Sequence, residues 1–96
     1  MIPVSLSKSI QAHGEEINAL ELNEPTFEQI QRLGLPVSVD LNGNFTVNAQ
    51  VAIKYIPVLA SIPPSSLRDL GAYDMNNLCW GIYRFFMIPP GSLTKD

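Results

Sequence analysis

Apolar and polar residues alternate at the start of the chain and change to helical spacing further on. Val4, Leu6 and Ile10 alternate with serines, and Ile17, Ala19, Leu20 and Leu22 form a second apolar set beyond Ala12-His13-Gly14-Glu15. Two such runs around a glycine-containing turn predict a β-hairpin. The second run changes parity between Ala19 and Leu20, so a regular strand would point half of its apolar side chains at water. An irregularity such as a β-bulge is therefore expected there.

The alternation of Leu20 and Leu22 stops at Pro25, which cannot donate to a ladder. Thr26, Phe27, Ile30 and Leu33 then repeat at helical spacing up to Gly34. Two starts are open. Pro25 at the first helical position makes Glu24 the cap, whereas Thr26 as cap pairs with Gln29 in a capping box. Val37, Val39 and Leu41 alternate up to Asn42-Gly43-Asn44, after which Phe45 and Val47 resume. This reads as a second β-hairpin, with an unstructured excursion as the alternative. A two-residue Asn42-Gly43 turn would set Leu41 against Asn44 and Val39 against Thr46. A three-residue loop instead pairs Leu41 with Phe45 and Val39 with Val47, with Asn44 in a left-handed conformation, and the apolar pattern favours it.

From Asn48 the apolar residues fall on two helical stripes, Ala49, Ala52, Ile53, Ile56, Leu59, Ala60 and Val51, Tyr55, Val58, Ile62, which predicts a helix buried on most sides. Pro57 removes one intrahelical hydrogen bond and crowds the carbonyl of Ile53, so a kink or a split is expected. Pro63-Pro64 ends the helix. Ser65 or Ser66 is expected to cap a short turn ending near Leu70-Gly71, and Asp74 to cap a last helix from Met75 to about Met87. Met75, Leu78, Cys79, Ile82 and Phe86 share one face of that helix. The order of elements is α+β: an N-terminal β-hairpin, a short helix, the second hairpin, then a C-terminal helical half of two to three helices. Pro89-Pro90-Gly91 predicts a frayed tail over 89–96.

Ninety-six residues suit one domain spanning 1–96. Apolar residues make up 46% of the chain and charged ones only 16%, which leaves little charged surface to keep a monomer soluble and points to apolar surface that meets a partner. The net charge is −3, and Lys8, Lys54, Lys95, Arg32, Arg68 and Arg84 are scattered, which argues against nucleic acid as a partner. Glu15, Glu16, Glu21, Glu24 and Glu28 make the first third acidic, a pattern that suits a solvated face and could also face a basic partner. Cys79 is the only cysteine, so an intrachain disulfide and multi-thiolate zinc sites are excluded. The N-terminus lacks the pattern of a secretory signal, and the apolar runs are broken by Lys54, Pro57 and Arg84, so no membrane segment is expected.

No catalytic set stands out. His13 is the only imidazole and lies in the predicted hairpin turn, where histidines are commonly exposed polar residues. It would need Cys79 or two carboxylates in space to do chemistry. Cys79 stands among Leu78, Trp80 and Ile82, an apolar setting that keeps a thiol protonated and inert. The six glycines are isolated, and none opens a phosphate-binding fingerprint. Catalytic residues, cofactors and metals are accordingly expected to be absent, and the chain is read as a non-enzyme. The richest segment is the aromatic end. Trp80, Tyr83 and Met87 form a second apolar stripe beside the core face of the last helix, and these three are the expected partner-binding residues, against the alternative that both stripes pack inside.

Laid out in this way, the chain resembles the phage tail assembly chaperone family of Mu-like and related contractile-tailed phages and prophages, of the tail protein E type. The resemblance extends over most of the chain. It rests on the hairpin with Leu6 and Gly14, on Leu20 and Leu22 running into Glu24-Pro25-Thr26, on the apolar helix from Ala52 to Pro63, and on Leu67, Leu70, Asp74, Leu78 and Phe85-Phe86. Ser9 stands where a proline is common and Asn23 where an arginine is frequent, and the stretch from Val37 to Val47 has no firm counterpart. The resemblance implies a non-enzymatic chaperone that binds the tail tape measure protein before the tube polymerises around it. It also implies residence in the host bacterial cytoplasm, absence from the mature virion and, in many such families, a longer frameshifted product sharing this domain. Homo-oligomerisation stands beside these as a candidate assembly. A structural tail component, a tube or baseplate subunit, is the alternative, and a small enzyme or ligand-binding domain using His13 and Cys79 a third.

Overall fold

A computed structural model describes residues 1–88. The expected tail over 89–96 lies outside them. Strands β1 (Ile2–Ala12) and β2 (Glu15–Leu22) form an antiparallel hairpin. His13 and Gly14 join them at φ 55° and 75°. A two-residue turn with both residues left-handed matches the twist of the flanking strands.

The parity change in β2 is resolved by a register shift. Ser5 faces Ala19 and Ile10 faces Ile17, so Leu6, Ser7, Lys8 and Ser9 stand opposite Asn18 alone. Four residues against one is an excess of three, and an odd excess moves β2 to its other face. Even-numbered Ile2, Ile10 and Ala12 of β1 are all buried, matched by Leu20 and Leu22 at the open end and by half-buried Ile17 near the turn. The irregularity falls within a residue of its expected place, but the extra residues belong to β1.

Thr26 caps helix α1 (Phe27–Leu33) in a reciprocal capping box with Gln29, and the Gly34 amide closes it on the Ile30 carbonyl. Pro25 and Glu24 precede the helix, which settles the two possible starts. No residue of α1 is buried. Strands β3 (Val37–Val39) and β4 (Phe45–Val47) make the second hairpin, in the register Val37 with Val47 and Val39 with Phe45. The loop is thus five residues, Asp40–Asn44, and not the expected three. The Asp40 carboxylate accepts from the amides of Asn42 and Asn44, both at 2.9 Å, and builds an Asx-type turn that a shorter loop could not hold. Gly43, not Asn44, takes the left-handed conformation, at φ 81°. Both registers keep odd residues opposite odd ones, so apolar residues still face apolar ones, but as Val39 with Phe45 and Val37 with Val47 in place of the expected Leu41 with Phe45 and Val39 with Val47.

Asn48 caps helix α2 (Ala49–Ala60), which runs through Pro57 as one element, so of the two expected alternatives, a kink or a split, the split does not occur. Ala52, Tyr55, Ile56 and Leu59 are buried, and Lys54 points to solvent. A 3-10 helix (Pro64–Asp69) follows with Pro63 as its cap; neither Ser65 nor Ser66 caps it, and Ser66 is buried instead. Helix α3 (Ala72–Met87), with Gly71 at its cap position, begins three residues earlier than expected. Asp74 is therefore inside its first turn and not the cap.

Helix α3 packs on β1 and α2 packs on β2, with the two helices in contact, so a helical layer covers one face of the first hairpin. Leu22, Tyr55, Ile56, Leu78 and Ile82 lie at its centre with no exposed surface. A Cβ placed on Gly81 would come within 3.0 Å of Leu22 Cδ1, so glycine is what lets α3 approach the sheet this closely.

Candidate partner-binding surfaces

The solvent face of α3 is aromatic because the helix places residues seven apart almost in line, drifting only about 20° per heptad. Tyr73, Trp80 and Met87 follow that spacing and are 70%, 52% and 40% exposed. They form one stripe about 21 Å long. Asn76 and Arg84 are exposed beside it. Of the three expected residues, Trp80 and Met87 are on this surface, whereas Tyr83 is buried. Its ring meets Trp80 edge to face at 5.4 Å and supports it from beneath. Burial pushes the Tyr83 hydroxyl above its ordinary range, with a smaller contribution from the neighbouring Cys79. Four-residue spacing from Cys79, which lies on the core face, is the signal that separates Tyr83 from the stripe, and seven-residue spacing from Trp80 points to Tyr73 as the exposed aromatic.

A second apolar surface lies on the β3–β4 hairpin. Val39, Leu41, Phe45 and Val47 are all exposed, Leu41 fully so at the tip. Val37, Val39, Phe45 and Val47 share one face through their pairing, and only Val37 reaches the core. Sequence reasoning paired these residues correctly by face but did not identify them as a surface, because their alternation looks the same whether the face is covered or open.

The acidic residues Glu15, Glu16, Glu21, Glu24 and Glu28 are all exposed, which suits a solvated face. Asp74 differs. Its side chain is fully buried and reaches the bulge of β1, where Oδ1 accepts from the Ser7 amide at 2.8 Å and Oδ2 from the Ser7 hydroxyl at 3.1 Å and the Lys8 amide at 3.2 Å. Two amides that the bulge removes from the ladder, together with the Ser7 hydroxyl, thus find one carboxylate.

His13 and Cys79 are not brought together. The imidazole Nε2 lies 2.9 Å from the Ser61 carbonyl, tying the first turn to the end of α2. The open groove beside it, about 530 Å³, is lined by Ile17, Leu20, Glu21 and Ile62 but not by Cys79. Cys79 is buried, and desolvation raises its thiol pKa. Among the described residues no three His, Cys, Asp or Glu side chains converge as a metal site, and no helix is long and apolar enough to cross a membrane.

The chain is thus a small α+β domain, a hairpin latched to a helical layer, with apolar side chains turned outward on α3 and on a second hairpin. The chain belongs to the family of phage tail assembly chaperone proteins, E, or 41 or 14, whose family model matches residues 3–87. No curated protein and no solved structure matches it. The resemblance drawn from the sequence is thereby borne out, and membership implies a protein partner in tail assembly.

Proposed function

We propose that this chain binds the tail tape measure protein and shields an apolar helical segment of it until the tail tube forms. The observation that carries the reading is the exposed stripe of Tyr73, Trp80 and Met87 on α3. An amphipathic helix laid against it would place its own apolar residues at heptad spacing along the same line. Arg84 is the exposed charge on this side of α3 and favours a carboxylate on the flank of the bound helix. The contact needs no chemistry, and the protein acts as a non-enzyme in the host cytoplasm, is left out of the finished virion, and shares its partner with any longer frameshifted form of the same domain.

Co-expression with the tape measure protein of the same phage tests this reading. The expected result is a soluble complex that co-purifies with the wild-type chain and is lost with Trp80→Asp, a change at a half-exposed site that leaves the core intact. A tape measure protein that is equally soluble with and without the chain would contradict it. Detection of the chain in purified virions would favour a structural tail subunit instead.

A further inference from the structure

The outer strand of the second hairpin is an unguarded edge. Strand β3 lies against α3, whereas β4 packs mainly on β3, and Phe45, Thr46 and Val47 are all exposed. Soluble proteins blunt such an edge by keeping it very short, or with a lysine, a proline, a bulge or an inward charge. Phe45-Thr46-Val47 is short but carries none of the other devices. We propose that β4 is a self-association edge, pairing antiparallel with β4 of a second copy of this chain around Thr46 to give a four-stranded sheet.

Backbone geometry selects that register. The Asn48 amide donates to the Pro36 carbonyl at 2.7 Å and the Asp40 amide to the Asn44 carbonyl at 3.0 Å. Hydrogen-bonded and non-hydrogen-bonded pairs alternate along an antiparallel ladder, so Thr46 turns its amide and carbonyl inward to Ser38, while Phe45 and Val47 turn theirs to the open edge. With Thr46 facing Thr46 across a two-fold axis, Phe45 of each copy stands opposite Val47 of the other. All four outward amides then meet outward carbonyls, closing four backbone hydrogen bonds. Phe45 and Val47 also stay on the same side of the sheet, so the apolar faces of the two hairpins join into one. A one-residue slip would place the inward-facing groups of Thr46 at the joint and break both matches.

Charge permits the contact. Each copy carries a net charge of −3, yet β3 and β4 hold no ionisable side chain, and Asp40 in the loop is engaged by its own turn. Thr46 opposite Thr46 is a favourable cross-strand pair. Edge pairing leaves the faces of the joined sheet open, so the contact rests on the backbone bonds and on the Phe45–Val47 cross-strand pairs.

Sedimentation velocity on the full chain from micromolar to about 0.2 mM tests the proposal, together with Thr46→Lys and Thr46→Glu, which alter an exposed polar-face residue. The expected result is a species of twice the 10.6 kDa chain mass, a dimer dissociation constant raised about fivefold or more in either variant because like charges then face each other, and recovery when the two variants are mixed. A wild-type chain that stays monomeric throughout overturns the proposal. So does a dimer that neither substitution weakens and mixing does not restore. Neither result bears on tape measure binding, which is assigned to α3.

Discussion

The two hairpins of this chain are built from similar alternating sequence but are held by different forces. The first has strands of eleven and eight residues, an apolar face sealed by α2 and α3, and a bulge fastened by Asp74. The second has strands of three residues each, touches the body mainly through Val37, and leaves the rest of its apolar face in solvent. A two-stranded hairpin is marginally stable by itself. The first is thus part of the fold's stability, while the second adds little to it.

The largest test of this contrast is truncation on either side of it. Ile56→Ala removes a fully buried side chain and should cost about 4 kcal/mol, whereas Phe45→Ala in the monomer should stay within about 0.5 kcal/mol of wild type. Urea unfolding at low protein concentration measures both, and similar losses would erase the distinction. The latch comes next. Asp74→Ala leaves the Ser7 and Lys8 donors without their carboxylate and should cost about 2 to 3 kcal/mol. Amide exchange should quicken first at Ser7 and Lys8, and a loss confined to the start of α3 would instead make Asp74 a local helix residue only.

The smallest effect is expected at the tip of the second hairpin. The Asn44 amide, followed by that of Asn42, holds the Asp40 carboxyl below its ordinary value of 3.8. A depressed folded-state pKa means that the ordering is complete above about pH 3.8 and is lost as the pH falls through the lower folded value. Amide chemical shifts of Asn42, Gly43 and Asn44 should move in that acid range, while those of the first hairpin's turn should not follow them.

How much could be read from the sequence follows the same division. Local chemistry was legible: the capping box of Thr26 and Gln29, the Gly34 stop, and the parity change that demands a bulge. What depended on distant partners was not. The bulge lies in β1 because Asp74, 67 positions away from Ser7, supplies its acceptors, and the same engagement keeps Asp74 from capping α3. The Asp40 turn lengthens the second loop by two residues without changing which side chains share a face, so hydrophobic pattern could not detect it. Of the proposed surface, Trp80 and Met87 were legible as a stripe. Tyr83 was misplaced because it borders both faces of α3 and packing against the core decides its fate.

Trp80 is the chain's only tryptophan, so its emission reports on one point at the centre of the α3 stripe. Titration of the chain with a tryptophan-free helical segment of the tape measure protein, followed by Trp80 fluorescence and acrylamide quenching, tests the central claim most directly. Binding through this face predicts a blue shift and a marked fall in quenching that saturate with the complex. Binding shown independently, with Trp80 emission and quenching unchanged, would contradict it.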